Sequence, residues 1–446
     1  MKSEIITAEE LAKNCTAKDR ILLVNPPVVE TRYQWLKWNQ PLDLLKMGSF
    51  LKQQVGCEVK LYDFMFPTGG KVTRTVNQAQ KELVINERSY SYTLWRYGES
   101  NEKFKEWCDK LRAGGWQPTQ VWVTSLTSYW WLGVTSTITL IKSVFNDAKI
   151  ILYGQYPVYE TDHAQENSCA DAVVKNKIGL TDYRADFSLY DKRRPAFCGL
   201  DARSKNWANE VVEKSSLGVA DFAFFNDDIL APEADVFGQL GILQKQLKAK
   251  SNRPLKFHGI CGLQPSRFTE EAAKKMLEAG FAELHFEEQL DGLELDLDAY
   301  KRAREAYRRA GFQLGPNELS GFLFIGTPRD DMERIIRQML NLLEIWGTVI
   351  LKPYGPTPGS PDYENHEHLF KIEDLERLSP HAFPFASVNG IAHEDYDELY
   401  ILAAALNQKV KGRSFNSFPG TLAFEMIKTS LEREVWKLGY EESSSH

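Results

Sequence analysis

Cysteine is scarce and scattered. The chain has six, Cys15, Cys57, Cys108, Cys169, Cys198 and Cys261, and no two lie closer than 29 positions. No C-x-x-C or C-x-x-x-C-x-x-C spacing occurs, so the sequence writes out neither a zinc ribbon nor a local iron–sulfur ligand set. Thiols spread in this way are expected to be reduced and mostly structural. No run of about 18 apolar residues exists, so no membrane span is expected. Met1–Lys13 carries Lys2, Glu4, Glu9, Glu10 and Lys13 without an apolar core; it does not read as a signal peptide, and a cytoplasmic protein is expected. A basic excess is also missing. Lys and Arg number 54 against 61 Asp and Glu, a formal net charge of -7, which disfavours a general nucleic-acid or anionic-membrane binder. No G-x-G-x-x-G follows any apolar run, which removes the dinucleotide fingerprint.

What remains is an α/β pattern over 446 residues, enough chain for two or three domains. Ile21–Val24, Val59–Tyr62, Val121–Leu126, Lys149–Leu152 and Ala172–Val174 read as buried parallel strands. Pro41–Val55 reads as a helix with Pro41 in its first turn and Gly56 past its end. Residues 71–117 show no clear period and read as an excursion holding one helix. Strand–helix repeats of this kind predict a doubly wound, Rossmann-like sheet that binds ligands beyond the carboxyl ends of its strands. The loops there are Asn25–Val28, Asp63–Pro67, Ser125–Trp131 and Gly154–Tyr159, and they suit a large, partly apolar ligand. Near residue 190 a second series begins, with strands at Phe222–Phe225, Lys256–Ile260, Ala282–Phe286, Gly321–Ile325 and Val349–Lys352. Helical stretches between them predict a partial (β/α) barrel. The expected domains are 1–185, 186–370 and a C-terminal helical segment, 371–446.

The stretches ILLVNPP (21–27), PLDLLKMGSFLKQQVGCEVKLYD (41–63), VWVTSLTSYWWLGV (121–134) and AKIILYGQYPVYETDHAQENSCADAVV (148–174) follow one another in order. GVADFAFFNDDIL (218–230), KFHGICGLQPSRF (256–268), GFLFIGTP (321–328) and LSPHAFPFASVNGI (378–391) continue the series. In this order the chain resembles the B12-binding radical-SAM family, which joins a cobalamin-binding domain to a radical-SAM barrel. The departures matter as much. That family carries C-x-x-x-C-x-x-C after its first barrel strand. The corresponding stretch here, DFSLYDKRRPAFCGLDARSKNW (186–207), has Cys198 alone. One thiolate cannot replace three, so a 4Fe-4S cluster is not expected. Lys175-Asn176-Lys177 stands where a Gly-Glu pair is usual, and Tyr153 replaces the first of two glycines.

The resemblance implies cobalamin as a cofactor and leaves S-adenosylmethionine possible. It implies that Asn25, Pro26 and the turn Tyr62, Asp63, Phe64 flank the corrin. Ser125, Thr127 and Ser128 would meet its amides, with Tyr129 and Trp130 near its lower face. Gly154, Gln155 and Tyr156 would line the groove for the nucleotide tail. Each of these residues equally suits plain strand termination. In the barrel, Asp227, Asp228, His258, Glu287 and Lys352 lie late in strands or just past them, a set suited to acid–base work on a small-molecule substrate. Asp227 and Asp228 suit a helix cap equally well. Three readings stay open. One is a non-radical, cobalamin-dependent methyl (or related group) transferase. The second is an inactive partner of a cluster-bearing radical-SAM protein, and the third a barrel enzyme with new chemistry and no cobalamin.

Overall fold

The computed structural model describes residues 2–30, 40–67, 74–85, 88–180, 182–190, 197–226, 228–247, 254–288, 295–315, 317–327, 330–356, 358–366, 375–376, 378–379, 391 and 393–410, with backbone alone over 74–92. Two compact units emerge: residues 1–258 with 355–385, and residues 259–354 with 386–446. This division cuts across the expected boundary at 185. The first unit holds β1 (Glu4–Ile6), β2 (Arg20–Asn25), β3 (Val28–Glu30), β4 (Glu58–Asp63), β5 (Arg74–Ile85), β6 (Arg88–Tyr97), β7 (Gln120–Ser125), β8 (Lys149–Gly154), β9 (Ala172–Val174), β10 (Cys198–Leu200) and β11 (Asp221–Phe224). The chain continues through β12 (Lys256–Leu263), β13 (Phe281–Phe286), β14 (Leu319–Ile325) and β15 (Val349–Pro353).

The first sheet runs β1-β9-β8-β7-β2-β4, with every pair parallel. Ile21, Leu22, Leu23 and Val24 are fully buried, as expected of a strand covered on both faces. From β2 the chain moves outward to β4 on one side. It then returns to β7 on the other, so the order reverses between β2 and β7. The expected helix after Pro41 is present over Leu42–Phe50 and widens into a π turn over Leu51–Val55 before Gly56 ends it at φ +80°. Helix Trp131–Val144 packs so closely that a Cβ on Gly133 would lie 2.0 Å from the Pro27 carbonyl oxygen. The excursion at 71–117 holds the one expected helix and, besides it, two strands. β5 and β6 pair antiparallel, β3 joins β6, and helix Asn101–Ala113 follows.

The second sheet keeps sequence order, β10 through β15. Phe222 and Phe224 stack on Phe257, and Trp207 of helix Trp207–Ser216 closes against them. In the second unit Phe286 stacks on Trp346 of helix Met332–Trp346 at 4.0 Å, and Gly321 gives that ring and Leu342 room to approach. Side chains alternate along a strand. Leu284, Phe286, Gly321 and Leu323 therefore face the helices, while Glu283, His285, Ser320, Phe322, Phe324 and Lys352 share the opposite face. Helix His393–Val410 follows. Its Asn407 side chain accepts from the Val349 N–H at 3.0 Å and donates to the Val349 carbonyl at 2.7 Å. The rest of the expected C-terminal segment lies mostly outside the described residues. Among those described, no helix is long and apolar enough to cross a membrane.

Candidate functional site

Ligands of doubly wound sheets sit where the strand order reverses. Here that point lies beyond the carboxyl ends of β2 and β7, and a small cleft marks it. Asn25, Pro26, Pro27, Val28, Met65, Ser125, Leu126 and Trp130 line it. Four of the residues singled out for cofactor binding therefore meet: Asn25, Pro26, Ser125 and Trp130.

Their polar groups are already engaged. The Asn25 amide donates to Asp63 Oδ1 at 2.7 Å, and the Tyr190 hydroxyl donates to Asp63 Oδ2 at 2.7 Å. The Met65 N–H completes the set at 2.9 Å, so the fully buried Asp63 carboxylate is held from both ends. Tyr62 donates to Glu99 at 2.8 Å, and Phe64 is buried against Tyr62 and Phe104. Ser125 Oγ donates to the Thr127 carbonyl at 2.7 Å. The Thr127 hydroxyl is buried without a partner, and Ser128 is buried beside it. Tyr129 packs edge-on against Trp130, whose indole N–H donates to Glu30 at 3.1 Å. Gly154 adopts φ +107°, and a Cβ there would lie 2.5 Å from the Ser125 carbonyl oxygen. That glycine serves the approach of β8 to β7. Gln155 is exposed, whereas Tyr156 is fully buried with its hydroxyl 2.7 Å from His163 Nδ1. The Tyr153 hydroxyl is also buried without a partner, and burial pushes its phenol well above the ordinary range.

The chain itself covers this end of the sheet. Tyr363 donates to Glu160 at 2.9 Å, the Trp131 indole donates to Glu376 at 3.2 Å, and Ser379 bonds Glu30. The cleft has room for about one water molecule. Even a drug-sized ligand needs about 300–1,000 Å³, and a corrin with its nucleotide tail is larger. As arranged, the described residues of this cleft leave no room for a corrin.

The residues expected at the barrel mouth divide between the two units. Asp227 lies outside the described residues. Asp228 is buried and accepts from the Leu230 N–H at 3.1 Å, a turn-forming role. His258 departs from expectation. β12 runs to Leu263 rather than ending near Ile260, so His258 sits near the amino end of its strand, 3.2 Å from Asp221 at the start of β11. Cys261 lies inside that strand rather than after it. Glu287 and Lys352 do meet. They form an ion pair between residues 65 positions apart, at the carboxyl ends of β13 and β15. The Lys352 ammonium also lies 4.6 Å from the Phe322 ring centre and 5.1 Å from that of Phe324. Below them, His285 Nε2 faces Glu283 Oε1 at 3.1 Å and His285 Nδ1 faces Ser320 Oγ at 2.6 Å. Nε2 thus faces a carboxylate oxygen and Nδ1 a hydroxyl that can donate or accept. Sequence reasoning missed this chain, although AELHFEE (282–288) places Glu283, His285 and Glu287 at alternating positions.

The stretch that corresponds to the family's cluster loop is built differently. Cys198 opens β10 and is buried, and burial pushes its thiol up to about 12. It is the strand and not the loop. After the strand, Asp201 receives the Lys46 ammonium at 2.5 Å, the Asn226 amide at 3.1 Å and the Arg203 N–H at 3.0 Å. Burial raises this carboxyl, but Lys46 and the other donors more than offset it, and it titrates below its ordinary range. The Asn226 carbonyl in turn accepts from the Ala202 N–H at 2.5 Å. Lys46 was not singled out from sequence, because one lysine on a helical face reads as solvated. Among the described residues no group of three or more His, Cys, Asp or Glu is arranged to hold a metal ion. No protein-family model and no curated protein matches this chain.

Proposed function

We propose that this chain is a cluster-free relative of the B12-binding radical-SAM proteins that acts on a small molecule by acid–base chemistry, at the carboxyl ends of β13–β15. The Glu287–Lys352 pair carries this reading. Two charged side chains from distant strands meet on the face turned away from the helices, beside two phenyl rings. Such a pair can exchange partners with a ligand bearing both an amine and a carboxylate. Lys352 would take the carboxylate and Glu287 the amine, with the rings lining the apolar part. S-adenosylmethionine, whose methionine end has both groups, is the first ligand to test. The test is calorimetric titration with S-adenosylmethionine and small amino acids on the parent, Lys352→Met and Glu287→Gln. At least a tenfold loss of affinity in each variant is expected, about 1.4 kcal/mol. Equal binding by parent and variants would sink the reading, as would no binding by the parent.

The cobalamin-dependent methyltransferase stands as a second reading. The strand order favours it, because Asn25, Pro26, Ser125 and Trp130 gather at the reversal point. It requires Tyr363, Glu376 and Ser379 to leave that edge. Anaerobic incubation with hydroxocobalamin, gel filtration and metal analysis separate the two readings. The closed edge predicts less than a tenth of an equivalent of cobalt, as an order-of-magnitude expectation. Stoichiometric cobalt would reinstate the transferase. Stoichiometric iron after iron–sulfur reconstitution would overturn the cluster-free assignment.

A further inference from the structure

Cys15 and Cys57 are 42 positions apart in sequence, yet their sulfurs lie 3.5 Å from each other. Cys15 follows helix Ala8–Lys13, and Cys57 immediately precedes β4. Both are buried in the core of the first unit. The backbone around them is pinned. Thr16 N–H donates to Asp19 Oδ2 at 2.8 Å, Glu58 N–H donates to the Asp19 carbonyl at 3.3 Å, and Gly56 N–H donates to the Leu51 carbonyl at 2.9 Å. The Cys57 thiol donates to the Thr16 carbonyl at 3.3 Å. A disulfide needs sulfurs about 2.05 Å apart, so the 3.5 Å pair must close by about 1.5 Å.

We propose that Cys15 and Cys57 form a reversible disulfide site, closed by a peroxide and reopened by a dithiol. In the first step one thiol, as its thiolate, attacks the peroxide O–O bond, leaving a sulfenic acid and one water. The second thiolate then attacks that sulfur and expels a second water. Two thiols and one peroxide give one disulfide and two waters, and two electrons pass from sulfur to oxygen. Burial holds both thiols above their ordinary range, with the neighbouring Asp19 charge adding to it, so thiolate is scarce and closure is slow. The pair therefore responds to sustained oxidant. Closure would tie the entry of β4, an outer strand of the first sheet, to the segment that leads into β2, and would constrain a long loop in the unfolded chain.

Cys169 is exposed and Cys261 half-buried, so Cys169 is the most accessible competing thiol. The experiment uses the full chain carrying Cys169→Ser, treated with hydrogen peroxide in its folded state and digested without reduction. Mass mapping is expected to find the Cys15 and Cys57 peptides joined and two hydrogens lighter. The thermal midpoint should rise by a few degrees, fall back with dithiothreitol, and stay unmoved by peroxide in Cys57→Ala and Cys15→Ala. The exposure time is set by complete oxidation of Cys169 in the parent. If both buried thiols still alkylate fully in denaturant after that time, or join only once the chain is unfolded, the proposal fails.

Discussion

Lys46→Met is expected to lower the unfolding free energy of the first unit by about 2–4 kcal/mol, read from the urea midpoint at constant slope. Lys46 is only 4% exposed and its ammonium is 2.5 Å from Asp201. Methionine keeps the stem and removes the charge. Asp201 is left with the Asn226 amide and the Arg203 N–H, which cannot neutralise it. Its side chain keeps 22% exposure, so water relieves part of the cost and the effect falls below that of a fully buried pair. The second change, Asp201→Asn, is expected to recover a good part of the loss, because a neutral amide needs no counter-ion. An unchanged midpoint in Lys46→Met would mean that the pair is solvated and holds nothing.

Glu210→Gln is expected to flatten the pH dependence of stability between about pH 4.5 and 7 and to stabilise the protein at pH 8. Glu210 is 5% exposed, and its Oε1 is buried without a hydrogen-bond partner. Burial raises the carboxyl from 4.5 to about 7, against the pull of Lys46, Lys214 and Arg184. The folded state thus holds the proton more tightly than the unfolded chain. Stability is fully present below pH 4.5 and is lost as pH rises through about 7. Holding the carboxyl at about 7 rather than 4.5 corresponds to about 3 kcal/mol. The gain in the glutamine variant at pH 8 should be about 2 kcal/mol, since its amide must also find partners. Equal slopes for parent and variant across pH 4.5–8 would refute the protonated, buried carboxyl. The two variants are linked: Lys46→Met removes one cation that pulls Glu210 down, so its midpoint should move higher.

Strands were legible where apolar runs were long and continuous. Ile21–Val24, Val121–Leu126 and Lys149–Leu152 read as buried parallel strands, and β2, β7 and β8 cover them to within a residue or two. β10 was not legible, because its three residues include Gly199 and follow a charged stretch. His258 was placed at the wrong end of its strand for a related reason. Gly259 and Gly262 look like a turn, yet β12 runs through both. Gly262 adopts φ +128°, and a Cβ there would lie 2.7 Å from that of Glu287, so the glycine marks a close approach of two strands. Glu287 and Lys352 were legible as charges at strand ends, because the end of a buried strand leaves a polar group few other uses. His285 was hidden by an apparently apolar strand in which only alternate residues turn away from the helices. The covering of Trp131, Glu160 and Glu30 by residues 200 and more positions later was beyond any local pattern.

The Asn407 amide has a consequence for how this chain meets copies of itself. One side chain supplies the donor and acceptor that a neighbouring strand would offer at Val349, and it arrives on a helix that cannot extend the ladder. β15 ends its sheet, and an open sheet margin is a template for strand addition and aggregation. The helix therefore acts as a stopper as well as a packing element. A chain cut before His393 would keep every strand of the second sheet but present β15 bare. Concentration-dependent self-association is the behaviour to look for in such a truncation, ahead of any loss of secondary structure.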